Sequence, residues 1–556
     1  MSKKTIEKEI AKTIIQQPNI LEKFRRIFYN RQFVTLRDLL FILIASKYAY
    51  SFLLILYSRG PSYFVNKFGL YTKKLLYRIA TSTPYIKDKV KNELDKAISQ
   101  ISESAETVPE GQIWYNKLPI EGMEEEKLIS LLRDLEKLGD KTWEIGLTSG
   151  SVYRAKGEDD ENILKEVIHL YGLSNILHPE MFPAINKMER EIVSMVLDMY
   201  NAPKGAAGCF SMGGTESILL ACRTYKQYGY KVKGISKPEM IVPITAHAAF
   251  DKASEYFGIE LIHVPVDENY QVDLKAVKRL INSNTIMLVG SCMNYPNGMI
   301  DNIEGLSKLA KKYNIGLHVD CCLGGFLVPF MEEAGFNLPL FDFRLEGVTS
   351  ISCDTHKYGC TIKGSSVVLY RSAELFSHQF SIYPEWTGGI YATHSIQGSR
   401  PGILVAACWA ALMSRGRNFY VKQAREVVET AMIIKKKSSD LPLIKIMGNP
   451  LVSVVAFEAR DSGINPLIIA DAMQEKGWTL NKLQNPTAFH LACTARTIGK
   501  ADKFIEDLKD SIEEVKNNSK LFSSSTTQLY GSKTKLEGTG VSDQLISAYL
   551  IGLLKV

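Results

Sequence analysis

The sequence predicts an α/β fold. It reads as a large, mainly parallel mixed-sheet domain, a smaller C-terminal α+β lobe, and a helical membrane segment in front. Three observations carry this. Short β-branched runs recur at MIVPIT (240–245), LIHVPV (261–266), TIMLVGS (285–291), IGLHVD (315–320), VTSISCD (348–354) and SSVVLY (365–370), with helical stretches such as 273–282 and 302–313 between several of them. Strands that alternate with helices predict parallel pairing through crossovers. Beyond about 420 the texture changes to SVVAFEA (453–459), a helix over 465–476, AFHLACT (488–494) and a helix over 501–517. Finally, residues 39–57 form a long apolar run, LLFILIASKYAYSFLLILY.

The chain has 556 residues, more than one ordinary domain holds. The boundaries read as 1–60 for the N-terminal segment, 61–140 for a basic helical neck and linker, 141–420 for the large domain and 421–556 for the small one. Charge is uneven. Residues 1–100 hold 19 Lys/Arg against 7 Asp/Glu, whereas the remainder holds 48 against 53. A basic lead-in suits an anionic membrane surface; nucleic acid fits less well, because the charges interleave with long apolar runs.

The run 39–57 has about the length a bilayer-crossing helix needs. Lys47 near its centre costs roughly 2.5–3.5 kcal/mol on insertion scales, which the surrounding Leu, Ile and Phe offset. A helix buried against the enzyme or lying on a membrane is the alternative. The lead before it is too long and polar for a cleaved signal peptide. Both flanks are basic, so charge does not orient it. Pro61 and Pro84 break the neck, and SESAETVPEG (102–111) reads as a linker. Nine cysteines are scattered with no C-x-x-C pair, which suits reduced thiols in the cytosol and no structural zinc. No repeat is present, and no metal site is expected.

Chemistry begins at CDTHKYG (353–359). Lys357 follows a strand, where α/β sheets open a ligand crevice; desolvation there is expected to lower its pKa and yield an amine nucleophile. A solvated surface lysine is the bland alternative. Asp320 ends another strand in HVDCCLGGF (318–326), and a carboxylate in apolar surroundings needs a cationic partner unless it merely caps a loop. CFSMGGTES (209–217) opens a helix. Gly213 and Gly214 allow close backbone approach, Thr215 and Ser217 offer hydroxyls, and the helix N-terminus offers free N–H groups: a phosphate cradle. It lacks the Walker lysine. His247 starts a further helix and either stacks on a ligand or caps.

In chain order, Gly-Gly-Thr, His247, Asp320 and His356-Lys357 resemble the group II pyridoxal-phosphate decarboxylase superfamily. The runs SGSVY (149–153), SNILHPEMFPAI (174–185), AHAAFDKASEYFG (246–258), FDFRLEGVTSISCDTHKYGCTIKGSS (341–366) and GGIYATHSIQGSRPG (388–402) resemble its branch that cleaves phosphorylated sphingoid bases. The resemblance implies a fold-type-I enzyme that uses pyridoxal 5'-phosphate to break the C2–C3 bond of a phosphorylated sphingoid base, giving a fatty aldehyde and phosphoethanolamine. It implies Lys357 as the Schiff-base lysine beside His356, Asp320 on the pyridine nitrogen, His247 on the ring, and Gly214 and Thr215 on the cofactor phosphate. Gly398 and Ser399 would come from the neighbouring subunit of a homodimer with shared sites. Tyr153, Tyr295 and Tyr530 would lie near the reacting hydroxyl or the substrate phosphate, and Asn175, His178 and Lys363 would bind substrate. It further implies an endoplasmic reticulum membrane protein with one span and a cytosolic catalytic domain. Two departures stand out: Cys321 replaces a usual alanine, and THSIQ (393–397) is atypical. An amino-acid decarboxylase and a non-catalytic membrane scaffold of this fold are the competing expectations.

Overall fold

The computed structural model describes residues 115–517 apart from 140, 156–160 and 461–463, with scattered positions between 38 and 113 and between 543 and 551. Two compact units emerge, Met1–Ile79 and Ala80–Val556. In the first, residues 38–46 are helical where described, and Leu39, Leu40, Phe41, Ile42, Leu43 and Ile44 are exposed. Among the described residues no helix is long and apolar enough to cross a membrane, so the expected span is not borne out by them. The linker read at 102–111 and the candidate Tyr530 lie outside the described residues.

The second unit opens with α1 (Glu125–Glu136), α2 (Glu161–Tyr171) and α3 (Pro183–Met199). The alternating region follows: β1 (Ala207–Ser211), α4 (Gly214–Lys233), β2 (Glu239–Pro243), α5 (Ala249–Phe257), β3 (Glu260–Val264), α6 (Leu274–Leu280), β4 (Thr285–Ser291), α7 (Ile303–Tyr313), β5 (Gly316–Cys321), β6 (Ser350–Cys353) and β7 (Ser366–Tyr370). All six β-branched runs of the sequence are strands. The sheet order is β1-β7-β6-β5-β4-β2-β3. Neighbours from β3 to β6 pair in parallel, and β7 runs antiparallel to both β6 and β1. The carboxyl ends of β1, β2, β4, β5 and β6 therefore share one edge, joined by the amino end of β7.

Side chains alternate across a strand, and here the alternation sorts the core. Phe210, Ile241, Leu288, Leu317, Val319, Ile351 and Val367 face one cluster. Cys209, Met240, Val242, Met287, Val289 and Val368 face the other, against Leu219, Cys222 and Phe250 of α4 and α5. On that second face β5 and β6 carry polar residues instead. Tyr225 Oη bonds Ser350 Oγ (2.7 Å), His318 bonds Ser350 Oγ (2.8 Å) and Ser352 Oγ (3.1 Å), and Ser352 Oγ donates to Asp320 Oδ1 (3.2 Å). A buried polar column thus ends on the site, and its members satisfy one another as burial requires.

After α8 (Ala373–Ser377) the exposed hairpin β8 (Ser381–Tyr383) and β9 (Tyr391–Thr393) leads to α9 (Gly402–Ser438), which kinks at Gly416. A four-stranded antiparallel sheet closes the chain in the order β10 (Ile444–Ile446), β11 (Val454–Ala459), β13 (Ala488–Ala492), β12 (Asn481–Leu483), with α10 (Pro466–Glu475) and α11 (Ala501–Asn517).

Two buried histidines give an acid signature. Burial holds His318 and His490 down at about 4. The unfolded chain therefore binds more protons than the folded one between roughly pH 6.5 and 4, and folding free energy is lost as pH falls through that window. Asp301, pushed up to about 6 by burial, works in the opposite direction. The net expectation is a loss of roughly 2–3 kcal/mol between pH 7 and 5. Urea denaturation of the cofactor-free protein at both values measures it, and equal midpoints would contradict it.

Candidate active site

The catalytic loop leaves β6 at Cys353. Thr355 Oγ1 donates to Ser365 Oγ (2.7 Å), and His356 Nδ1 donates to the Ser365 carbonyl (2.6 Å), which pins the loop to the start of β7. Lys357 Nζ meets Asp354 Oδ2 at 2.8 Å. Burial opposes the lysine's charge, but Asp354 outweighs it and holds Lys357 well above the usual lysine value. The expectation of a depressed lysine pKa is therefore corrected. Desolvation is present, yet a buried carboxylate one helical turn away in sequence dominates it. His356 is half-buried and held low by burial; its Nε2 lies 3.9 Å from Asp354 Oδ2.

Asp320 sits at the end of β5 and is almost inaccessible. Its Oδ1 accepts from the Cys322 amide (2.9 Å) and from Ser352 Oγ. Burial pushes its carboxyl up, but His247 and the Cys322 amide prevail and keep it below the usual range, hence ionised. His247 itself caps α5: its Nδ1 accepts the Ala249 N–H at 3.0 Å, with the ring exposed. Capping and facing Asp320 are thus compatible roles of one side chain.

The cradle forms where β1 turns into α4. Gly213 has φ +105° and ψ 164°, a backbone state closed to L side chains, and no side chain caps the helix. At Gly214 a Cβ would meet Asp354 Oδ1 at 2.6 Å and Cys322 Sγ at 2.9 Å, so glycine is required for close passage. Thr215 is exposed at the helix start. Ser217 is not available to a phosphate: its hydroxyl is buried between Ser211 Oγ (2.6 Å) and Ser366 Oγ (2.9 Å). The departure in HVDCCLGGF is harmless, because alternation turns Cys321 into the core, while Cys322 Sγ faces the site.

Tyr153 and Lys363 complete the lysine's surroundings. Lys363 Nζ donates to the Ser151 carbonyl (2.7 Å) and lies 5.1 Å from the Tyr153 ring centre. Burial pushes the Tyr153 phenol up to about 12, with Lys357 opposing and Asp354 and Tyr295 reinforcing. Burial, then the neighbouring Lys357, lowers Lys363. Tyr153 packs edge-on against Tyr358 (4.7 Å). Tyr295 is half-exposed and packs edge-on against His490 (4.8 Å).

A separate group surrounds GSRPG. Asn175 Nδ2 donates to Ser399 Oγ (3.1 Å) and its Oδ1 accepts the Arg400 N–H (3.1 Å), beside Gly398. The buried Arg400 guanidinium donates to the Phe210 carbonyl (3.3 Å) and to His394 Nε2 (2.9 Å), and reaches Glu189 Oε1 at 3.5 Å. The atypical THSIQ thus anchors this loop through His394. His178 is exposed and pairs with Glu180 (3.4 Å). Asp354 is the residue that sequence reading missed. Its signal, a carboxylate three before the lysine, stands in DTHK, but its direction does not.

Among the described residues no His, Cys, Asp and Glu cluster suits a metal ion. The groups fit pyridoxal phosphate instead: a strand-end lysine, an ionised buried carboxylate, an uncapped Gly-Gly helix start, and a buried Asp354 Oδ1 without a partner. They define a pyridoxal-dependent enzyme of the decarboxylase type, and residues 117–460 match the family model described as "Pyridoxal-dependent decarboxylase conserved domain". Among similar proteins, the sphingosine-1-phosphate lyase of Saccharomyces cerevisiae is 42% identical over 528 residues, covering 94% of this chain and 89% of that protein. Sphingosine-1-phosphate lyase 1 of Mus musculus is 40% identical, covering 83% and 80%. Among solved structures, the sphingosine-1-phosphate lyase of Burkholderia pseudomallei superposes with a TM-score of 0.70 at 37% identity, covering 77% of this chain and 98% of that one. The chain belongs to the sphingosine-1-phosphate lyase family.

Proposed function

We propose that this protein cleaves the C2–C3 bond of phosphorylated sphingoid bases to a fatty aldehyde and phosphoethanolamine, with pyridoxal 5'-phosphate as cofactor. The observation that carries the reading is the second cation, Lys363, on the Tyr153 ring and close enough to Lys357 to feel its charge. A phosphomonoester needs such a charge. The bound cofactor supplies an electron sink for the pair released from the broken bond.

The chain's own residues do the rest. Asp320 would hold the ring nitrogen's proton. Gly214 and Thr215 would present backbone N–H groups to the cofactor phosphate. Lys357 Nζ would hold the cofactor, and Asp354 at 2.8 Å keeps that nitrogen beside the Tyr153 phenol and favours its charged form. Tyr153, protonated at neutral pH, would bind the C3 hydroxyl, and the proton lost there would return to C2 through the Lys357–Asp354 pair before release, so that none is gained or lost. Tyr295 lines the same space. Because Asn175 and Ser399 bond each other, they move as one: if Ser399 serves a neighbouring subunit, Asn175 goes with it.

The homodimer belongs to this reading. Ile382, Tyr383, Trp386 and Ile390 expose an apolar surface on the hairpin beside a cleft of about 740 Å³, a surface that a second copy would cover. Co-expression of Lys357→Ala subunits with Ser399→Ala/Asn175→Ala subunits is then expected to restore activity that neither homodimer has; no restoration would place each site within one subunit. The apolar 39–57 run is read as the anchor to the endoplasmic reticulum membrane, with the catalytic part in the cytosol. Release of the protein by carbonate without detergent would remove that part of the proposal.

The deciding assay incubates purified protein and cofactor with a sphingoid 1-phosphate and detects aldehyde and phosphoethanolamine by mass. Carbon dioxide release from amino acids without aldehyde would instead favour a decarboxylase. Tyr153→Phe is expected to lower kcat about 100-fold or more with cofactor binding unchanged, as loss of a positioned proton donor does. Wild-type kcat would remove Tyr153 from the proton path.

A further inference from the structure

We infer that Asn481 and His490, on the C-terminal sheet, are positioning residues that set the two tyrosine-bearing segments of the active site through one hydrogen-bonded relay. The inference rests on the reading that Tyr153 and Tyr295 face the substrate. Neither residue is part of a recognisable catalytic motif, and both lie far along the chain from the tyrosines.

The relay runs from one segment to the other. Asn481 Nδ2 donates to Ser149 Oγ at 2.8 Å and to His490 Nε2 at 3.0 Å. His490 Nδ1 donates to the Pro296 carbonyl at 2.9 Å. These partners fix one tautomer, with the proton on Nδ1 and the lone pair on Nε2. Ser149 begins SGSVY and also accepts the Ala492 N–H (2.9 Å); four residues on stands Tyr153. Pro296 directly follows Tyr295, whose ring leans edge-on on the His490 imidazole at 4.8 Å and 74°. His490 and Ser149 are buried. β12 and β13 are paired at this point, with Asn481 opposite His490. A rigid sheet thus grips both segments at fixed spacing, which is how a site obtains sub-ångström placement.

A neutral imidazole is essential to the arrangement. A proton on Nε2 would face the Asn481 amide hydrogens and break the relay. Burial keeps His490 neutral down to about pH 4, so the relay is intact at neutral pH.

The test uses His490→Phe, which keeps a ring for Tyr295 to lean on but removes both hydrogen bonds, and Asn481→Leu, which removes the bonds to Ser149 and to His490 Nε2 but leaves His490 on the Pro296 carbonyl. In the full-length protein without cofactor, hydrogen exchange is expected to rise at 293–298 and 147–153 in His490→Phe, and at 147–153 alone in Asn481→Leu. In the loaded enzyme both variants should still trap cofactor on Lys357 with borohydride. We expect kcat to fall about 100-fold with a smaller change in KM. The double variant His490→Phe/Tyr295→Phe should lose less than the product of the two single fold-losses, because part of the His490 effect passes through Tyr295. Additive losses, or unchanged exchange in both segments, would overturn the inference. Should the wild-type protein form no aldehyde, the functional reading fails, while the exchange arm still decides the positioning role. If His490→Phe does not fold, Asn481→Leu decides through its exchange pattern.

Discussion

Lys357→Arg is expected to abolish aldehyde formation, by at least about 10⁴-fold, while the melting temperature stays close to that of the wild type. Arginine keeps a cation against Asp354 but cannot form the covalent bond to the cofactor carbonyl. The structure shows why arginine and not alanine is the clean variant. Asp354 is 2% exposed, and Lys357 at 2.8 Å is its charge partner. Lys357→Ala leaves that carboxylate buried and uncompensated, an arrangement that costs about 3–5 kcal/mol. Alanine should therefore lose turnover and stability together. Adding Asp354→Asn to Lys357→Ala removes the stranded charge and is expected to recover most of the stability without any activity. Mass detection of both products, with thermal denaturation alongside, separates the effects. Turnover by Lys357→Arg above about 10⁻³ of wild type would mean that another amine carries the cofactor.

Features of this chain that show in its sequence are those whose cause lies within a few residues. Five of the six β-branched runs read as strands because their side chains are buried on both faces; β3, at the sheet edge, exposes Glu260 and His263 and shows itself by alternation instead. β1, whose sequence is AGCFS, has no such run; its place beside β7 comes from pairing alone. Asp320, Lys357 and the Gly-Gly turn were legible because strand ends and helix starts leave local marks. Electrostatics were not. The lysine's high pKa depends on which way Asp354 points, and Ser217 looks like a phosphate ligand until its hydroxyl is found between Ser211 and Ser366. Contacts of long separation left no mark either: Arg400 is tied to Phe210 and Glu189, and Ser149 to Asn481. These are products of tertiary packing, which no local pattern encodes.

Asp320→Asn carries the second large effect, and the polar column behind it explains the size. Asparagine is nearly isosteric, and its side-chain oxygen can still accept the Cys322 amide and the Ser352 hydroxyl. The fold should therefore be preserved, with His318 still held between Ser350 and Ser352. What is lost is the negative charge that Asp320 retains despite burial, because His247 and the Cys322 amide outweigh desolvation. A neutral amide can accept a hydrogen bond from a protonated ring nitrogen but does not keep it protonated. The electron sink then weakens at the moment the C2–C3 bond breaks. Removing one preorganised charge from a water-poor site typically lowers kcat by roughly 10²–10³, and that loss is expected here in kcat more than in KM. A readout independent of turnover is the absorbance of bound cofactor against pH: its protonation step should move to lower pH in Asp320→Asn. A variant with wild-type turnover and an unmoved absorbance titration would show that a different group holds the ring, and that the cofactor does not lie against β5.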